Sequence, residues 1–540
     1  MKKLARPLRL LGQDKRRAVP AKEYEMANAN LFASFCGALL PKATVRNEAG
    51  GSAYARDPRA ALALFAATGC LNSTFYASAD AQLEQVQALC NEVDAGFIAR
   101  TAAYAHGVAH MKDVPALLLA MLSVRDGEAF AAAFPHVIDN GRMLRTFVQI
   151  MRSGRVGRRS LGSLPKRLLR QWLEQASPKA IIRAAIGNQP SLADVIRMVH
   201  PKPQDAAREA LYAWVIGRPY DEALLPAELR AYEAFKRDPR GMLPDLPFQY
   251  YSALTLDAAQ WSVLARNSSW QQLRMNLNTF ARHGVFEEPA MVAEVAAKLR
   301  DPQQIARSRV LPYQLLMAYH AGAALPRPIL DALQDAMEVA TASVPALQGK
   351  VVVAVDVSGS MQWPVTGYRK GASSAARCVD VAALIAACVL RGHPQAQVLP
   401  FDTEVRPQQL NPRDSVMTLA RQLAINGGGT AVSAPLAYLN RKRAQVDLLV
   451  LVSDNESWRD TRGSRETATM REWAALKARC PQAQLVCIDL QPVASSQTVE
   501  REDVLHIGGF SDAVFELLAN ASLPPAQRPR WVERIAAMDL

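Results

Sequence analysis

From about residue 80 to 340 the apolar side chains recur every three or four positions, and beyond about 345 they gather instead into short unbroken runs. A period near 3.6 puts a stripe on one face of a helix, whereas four or five consecutive apolar residues, rich in valine, fit a strand covered on both faces. Leu83, Val86, Leu89, Cys90 and Val93 form one helical stripe. Val114, Leu117, Leu118, Met121 and Leu122 form the next, and Leu144, Phe147, Val148 and Met151 a third. Asp126-Gly127 and Asn140-Gly141 break the pattern between stripes. Helical hairpins stacked side by side, as in a HEAT-like solenoid, are the expected architecture, although no strict sequence period is present.

The later runs are Val351 to Val355, Val398 to Phe401, Leu448 to Val452 and Leu485 to Ile488. Helical stretches lie between them at Val379 to Leu390, Val416 to Leu423, Ala434 to Leu439 and Trp473 to Ala478. Strand and helix in alternation predict a doubly wound α/β domain with a parallel sheet. Residues 340–349, ATASVPALQG, read as the connection. The expected organisation is a basic extension over 1–24, a helical region over 25–345 and an α/β region over 346–540.

A chain of 540 residues, half of them hydrophobic and 21% charged, is too long for one ordinary core and has no bias towards disorder. Its seven cysteines, Cys36, Cys70, Cys90, Cys378, Cys388, Cys480 and Cys487, are scattered without a CxxC pair and read as buried thiols of a reducing compartment. The basic N-terminus lacks the apolar core of a signal peptide, and no run of 18 apolar residues occurs. A soluble, cytoplasmic, monomeric protein without membrane contact is expected. The formal charge of +13 is unevenly placed. From residue 346 onward about 21 basic residues face 19 acidic ones, so most of the excess lies before residue 346, and a polyanion-binding surface would belong to that N-terminal part.

In doubly wound sheets ligands sit beyond the carboxyl ends of the strands. The first strand of the α/β region leads into VAVDVSGSM, which places Asp356, Ser358 and Ser360 on the loop leaving it. A hard cation such as Mg²⁺ takes about six oxygens, so one carboxylate and two hydroxyls need help from neighbouring loops. INGGGTAVS offers Thr430 after three glycines, and LLVLVSDNES offers Asp454 at another strand end. DxSxS, a glycine-rich threonine and a strand-terminal aspartate, in this order, resemble the metal-ion-dependent adhesion site of von Willebrand A domains. The expected ligand is a divalent cation, Mg²⁺ first, with Mn²⁺ or Ca²⁺ as substitutes. The plainer alternative makes Asp356 a helix cap and GGGT a tight turn. An aspartyl-phosphate enzyme would want an aspartate at Ser358, and a phosphate loop would want a lysine after the glycines.

Between Arg142 and Arg183 the bases are Arg142, Arg145, Arg152, Arg155, Arg158, Arg159, Lys166, Arg167, Arg170, Lys179 and Arg183, against the single acid Glu174. Arginine predominates, and its planar fork suits phosphate. No protruding aromatics interleave the run, so recognition of structured RNA by shape and phosphate is the better expectation than base stacking. A solvated basic face that aids solubility is the plainer alternative. The stretch continues into Arg197, His200 and Lys202; a lone histidine before a proline most often caps a helix. A second patch, WQQLRMNLNTFARHG, supplies Arg274, Asn276, Asn278, Arg282 and His283.

Three stretches together, FVQIMRSGRVGRRSLGSLPKRLLRQWL, DVIRMVHPKP and the VVAVDVSGSM, GGT, VSDNES series, resemble the Ro ribonucleoprotein autoantigen family, a TROVE module joined to a von Willebrand A domain. The resemblance covers the chain from about residue 25 to its end. It implies an α-helical HEAT-like ring bridged by the α/β domain, Y-like noncoding RNA on the outer basic surface, and misfolded or 3′-extended RNA ends passing through a central hole. It also implies that His200 and Lys202 take part in Y RNA binding and that Arg183 has a similar role. Gly187 falls where animal relatives carry a further basic residue. Bacterial members work with a 3′-to-5′ exoribonuclease, polynucleotide phosphorylase. The expected function is that of a non-enzymatic RNA-binding component in RNA quality control or maturation. The main alternative is a metal-dependent adapter that docks its α/β domain on a partner's carboxylate. A metal-dependent nuclease would want more clustered acids than this motif supplies.

Overall fold

The computed structural model describes residues 41–540 apart from 48–49, 70, 252–253, 311, 323, 343, 345–346, 369–375, 458–459, 461–465, 494, 511–512 and 522–529. The proposed extension over 1–24, Cys36, Cys70 and most of the loop after the metal motif lie outside the described residues. Cys90, Cys378, Cys388, Cys480 and Cys487 are buried free thiols.

Between Pro58 and Thr341 the chain is a succession of α-helices of 7 to 15 residues, with short 3-10 turns of 3 or 4 residues among them. Their starts are set by side chains that accept hydrogen bonds from first-turn amides: Asp57, Ser78, Asp94, Asp126 and Asn140 all do so. The two breakers in the sequence are therefore helix starts. Gly141, the first residue of the helix Gly141–Arg152, lies where a Cβ would come 2.1 Å from that of Ala184. Only glycine lets these two segments meet so closely, and the contact sets Arg142 beside Arg183.

The strands are β1 (Val45–Arg46), β2 (Ser52–Ala55), β3 (Val351–Asp356), β4 (Gln397–Phe401), β5 (Leu448–Ser453), β6 (Gln484–Asp489), β7 (Ser495–Ser496) and β8 (Val504–Gly508). The main sheet runs in the order β4-β3-β5-β6-β8 and every pairing in it is parallel. The chain leaves β3 for β4 on one side and then returns to place β5 on the other. The carboxyl ends of β3 and β5 therefore flank the crevice of the sheet. A fifth strand, β8, and the small antiparallel sheet β1-β2-β7 were not legible as apolar runs, because β8 carries His506 and the others are two to four residues long.

Side chains of β3 and β5 alternate between two cores, as a period of two requires. Val351, Val353, Val355, Leu448, Val450 and Val452 face one shared with the helical region. Val352, Ala354, Leu449 and Leu451 face another around Trp473. The helix Cys378–Gly392, CVDVAALIAACVLRG, is apolar all round because it lies inside the shared core, with 13 of its residues buried.

Both ends of the helical array rest on the α/β domain. At its start Leu64 abuts Gly508 in β8, and the Trp531 indole N–H donates to the Tyr104 hydroxyl at 3.0 Å. At its end the Val416 amide donates to Glu338 at 2.9 Å and the Tyr313 ring packs edge-on against Phe510. The path of packed neighbours is thus closed through the α/β domain, as a HEAT-like ring bridged by an A domain requires. No helix among the described residues is long and apolar enough to cross a membrane.

Candidate metal centre and basic surface

Asp356 ends β3, and the turn after it folds back so that the Ser358 amide donates to Asp356 Oδ1 at 2.9 Å. Ser358 Oγ and Ser360 Oγ stand 3.3 Å apart. From β5, Ser453 Oγ donates to Asp356 Oδ2 at 2.6 Å, and the next residue is Asp454. The glycine loop reaches the same place through its backbone: the Gly359 amide donates to Gly428 O, and the Gly427 amide to Val357 O, each at 2.8 Å. A Cβ at Gly427 would sit 2.5 Å from Val357 O, so only glycine permits this approach. Thr430 follows directly. All five residues, Asp356, Ser358, Ser360, Thr430 and Asp454, are buried.

Two supporting residues were missed in the sequence. Asp402, just after β4, accepts from the Gly428 amide at 2.9 Å and pairs with Arg406, fixing the glycine loop. Ser453 orients Asp356. Both act through hydrogen bonds to neighbours far along the chain, which no local motif announces.

Burial pushes the Asp356 carboxyl up to about 7, and the neighbouring Asp454 adds to the rise. Burial likewise raises Asp454 to about 6 against hydrogen bonds from Ser360 and Tyr76 that favour its charged form. Two buried carboxyls that resist ionisation side by side lack a positive charge. Carboxylate and hydroxyl oxygens are the donors that Mg²⁺ or Mn²⁺ accepts. No cluster of three or more His, Cys, Asp or Glu suited to a metal occurs among the described residues, so the chemistry is that of a mixed carboxylate-hydroxyl site.

The basic run divides by the use of its donors. Arg142, Arg152, Arg159, Lys166, Arg167, Lys179 and Arg183 are exposed, and none has an ion-pair partner among the described residues. Arg155 is exposed but pairs with Asp80 at 2.9 Å. Arg158 turns inward and donates to Ser123 O at 3.0 Å and Leu161 O at 3.1 Å. Arg170 donates to Val199 O at 2.9 Å, at the end of the helix Leu192–Val199. Arg274 donates to Gln271 Oε1 and Gln314 O, both at 2.9 Å, and burial lowers its guanidinium to about 10. Arg158, Arg170 and Arg274 thus spend their donors on the protein's own carbonyls. Arg158→Ala is expected to cost about 1.5–3 kcal/mol in a denaturation curve, as loss of charged hydrogen bonds does. Arg152→Ala should stay within roughly 0.5 kcal/mol, as surface changes do. Equal losses would contradict this division.

Arg142, Arg145, Lys179 and Arg183 line one side of a cleft of about 780 Å³, with Glu228 and Asp245 among its other walls. The Arg145 guanidinium lies over Gly187, where a Cβ would come 2.3 Å from Nη1, and Gly187 itself has a φ of +112°. Arg145 therefore fills the space that a basic side chain at 187 would need. His200 caps its helix in the left-handed conformation, its amide donating to Ile196 O, while its ring stays exposed. The cap and an exposed imidazole coexist. Lys202 is exposed beside it, its backbone held by Glu174 at 3.0 Å. Arg197, also exposed, donates to Ile216 O at 2.6 Å. In the second patch Arg282 is exposed, Asn276 and Asn278 bond backbone carbonyls of Gln272 and Ala321, and His283 stacks on Trp261 at 3.9 Å.

Residues 350–521 match the family model of the Ro60 von Willebrand A domain. Beyond that span, the chain is 28% identical over 512 residues to the RNA-binding protein RO60 of Deinococcus radiodurans, an alignment that covers 88% of this chain and 94% of the relative. Over most of its length the chain is thus similar to a Ro protein. The crystal structure of the Deinococcus radiodurans Ro (RSR) protein has the same fold, with a TM-score of 0.60 at 23% identity, over 86% of this chain and all of that one. The metal-motif residues come from three loops of the matched domain, those after β3 and β5 and the glycine loop between the helices Val416–Leu423 and Ala434–Arg441, whereas the exposed bases come from the helical array.

Proposed function

We propose that this protein is the RNA-binding component of a ribonucleoprotein, holding a Y-like noncoding RNA on the surface from Arg142 to Lys202. In this reading single-stranded or misfolded RNA ends enter the ring closed by the α/β domain, and a partner 3′-to-5′ exoribonuclease trims them. The observation that carries it is the set of exposed bases without acidic partners, Arg142, Arg152, Arg159, Lys166, Arg167, Lys179 and Arg183, because such a set is costly unless an anion compensates it. The name of the Deinococcus relative supports RNA as that anion. Crosslinking in cells followed by sequencing of the attached RNA tests the reading. Enrichment of one or a few structured noncoding RNAs, crosslinked between residues 142 and 202, is the expected result. Recovery of no RNA above background would sink it.

The five buried oxygen ligands are proposed to hold one divalent cation, Mg²⁺ in the first place, which supplies positive charge to the paired carboxyls and steadies the strand ends that carry them. Two buried acids are fewer than a two-metal nuclease uses, and the proposal assigns no catalysis to the centre. A pH dependence follows. A carboxyl raised above its unfolded value binds its proton more tightly in the folded chain, so cation-free stability falls as pH climbs from the ordinary carboxylate range towards neutrality. Mg²⁺ at a hundred times its Kd returns about 2.7 kcal/mol. The rise in melting temperature on adding Mg²⁺ should therefore be large near pH 8 and small near pH 5, where the carboxyls are protonated. Equal shifts at both would count against the assignment.

A further inference from the structure

The metal motif is covered by a piece of the helical region. After the helix Pro58–Thr68 the chain crosses to the α/β domain and lies along residues 363–368, the loop that follows the motif. Asn72 Nδ2 donates to Thr366 O at 2.8 Å, and the Tyr368 amide donates to Ser73 O at 2.8 Å. Gly367 lies so close that a Cβ there would come 2.7 Å from that of Asn72. Phe75 packs edge-on against Trp363, ring centres 5.7 Å apart. A turn closed by Thr74 and Ala77 then sends the Tyr76 side chain inward, where its hydroxyl donates to Asp454 Oδ2 at 3.3 Å. Asp454 is almost completely enclosed, so a residue more than 370 positions away in sequence reaches the interior of the motif.

We propose that Tyr76 is a positioning residue of the metal centre, and that cation binding and the seating of residues 72–77 on the α/β domain are one linked event. This rests on the cation reading given above. A hydroxyl that donates to one oxygen of a ligating carboxylate fixes its rotation and favours its charged form, and loss of such a partner typically weakens metal binding by about 10–100-fold. Linkage is reciprocal: whatever the seated segment adds to cation affinity, the bound cation returns to the seating of the segment. The centre then acts as a clasp between the start of the helical array and the α/β domain, and a carboxylate from another protein meets a site already covered from within.

The experiment is calorimetric titration of the full chain and of Tyr76→Phe with Mn²⁺, together with amide hydrogen exchange of both with and without Mg²⁺. Phenylalanine keeps the ring and its packing, so the variant is expected to fold as the parent does without cation, with a melting temperature lowered by no more than the loss of one hydrogen bond allows. The expected results are a Mn²⁺ affinity roughly tenfold or more weaker in Tyr76→Phe, and slower exchange at residues 72–77 and 363–368 when Mg²⁺ is added to the parent. Unchanged Mn²⁺ affinity in the variant, or exchange at 72–77 indifferent to Mg²⁺, overturns the inference while leaving the cation reading intact. No binding to the parent overturns both.

Discussion

Arg56→Ala is expected to destabilise the protein by about 3–5 kcal/mol, the usual cost of leaving one member of a buried ion pair alone. Arg56 follows β2, and its Nη2 donates to Asp489 Oδ2 at the end of β6 at 2.8 Å, with the two side chains 4% and 2% exposed. Its Nη1 lies 2.9 Å from His506 Nδ1, and His506 Nε2 lies 2.8 Å from Thr498 Oγ1. Burial and the adjacent guanidinium hold that imidazole well below its ordinary value, so it is neutral, with Nδ1 accepting from Arg56 and Nε2–H donating to Thr498. Burial raises the Asp489 carboxyl even with Arg56 beside it, which shows that the ion pair compensates desolvation only in part. What the pair does secure is position: it fastens the strand before the helical array to the far side of the main sheet. The double variant Arg56→Met with Asp489→Leu should therefore regain most of the loss, since an apolar pair leaves no charge uncompensated. Urea denaturation of the two variants and the parent checks this, with limited proteolysis near residue 57 reporting whether the junction opens. Stability within 1 kcal/mol of the parent in Arg56→Ala would mean that the pair is not enclosed in solution.

The same junction shows where sequence reasoning ended. DxSxS, GGGT and SDNES were legible because each is local, and DxSxS and SDNES sit where an apolar strand run stops, whereas GGGT lies between two helices and was legible from its glycines alone. Arg56, Asp489 and His506 carried no such signal; their meaning lies in contacts that span more than 400 residues. Tyr76 was equally silent, one tyrosine among 13. Charge was legible as an amount but not as a direction. The run from Arg142 to Arg183 announced a basic surface, yet Arg158 and Arg170 bond carbonyls of their own fold and Arg155 is matched by Asp80. Composition cannot separate an arginine that faces solvent from one that ends on a carbonyl, because both are long and both leave the same helical stripe. His200 caps its helix as expected, and because capping uses only its amide the ring stays exposed.

The second large effect is electrostatic. A surface that contacts about six to ten phosphates releases as many counterions, so affinity for RNA should fall by roughly 10³–10⁵ between 50 and 200 mM salt. Arg142, Lys179 and Arg183 project into one cleft, and none pairs with an acid among the described residues, so each is expected to meet a phosphate. Each such contact removed should flatten a plot of log affinity against log salt by about 1. None of the three makes a side-chain hydrogen bond or ion pair among the described residues, so the triple variant Arg142→Ala, Lys179→Ala, Arg183→Ala should melt as the parent does. The Arg158→Ala variant should do the reverse, losing stability and keeping the slope.

The most direct measurement is the dissociation constant of the crosslinked RNA, or of a structured RNA of similar length, determined across that salt range for the parent and the triple variant. The parent should show the steep dependence, and the triple variant a slope smaller by about 3 with weaker binding at low salt. A parent affinity indifferent to salt, or a triple variant with the parent's slope, would contradict the assignment of this surface to RNA.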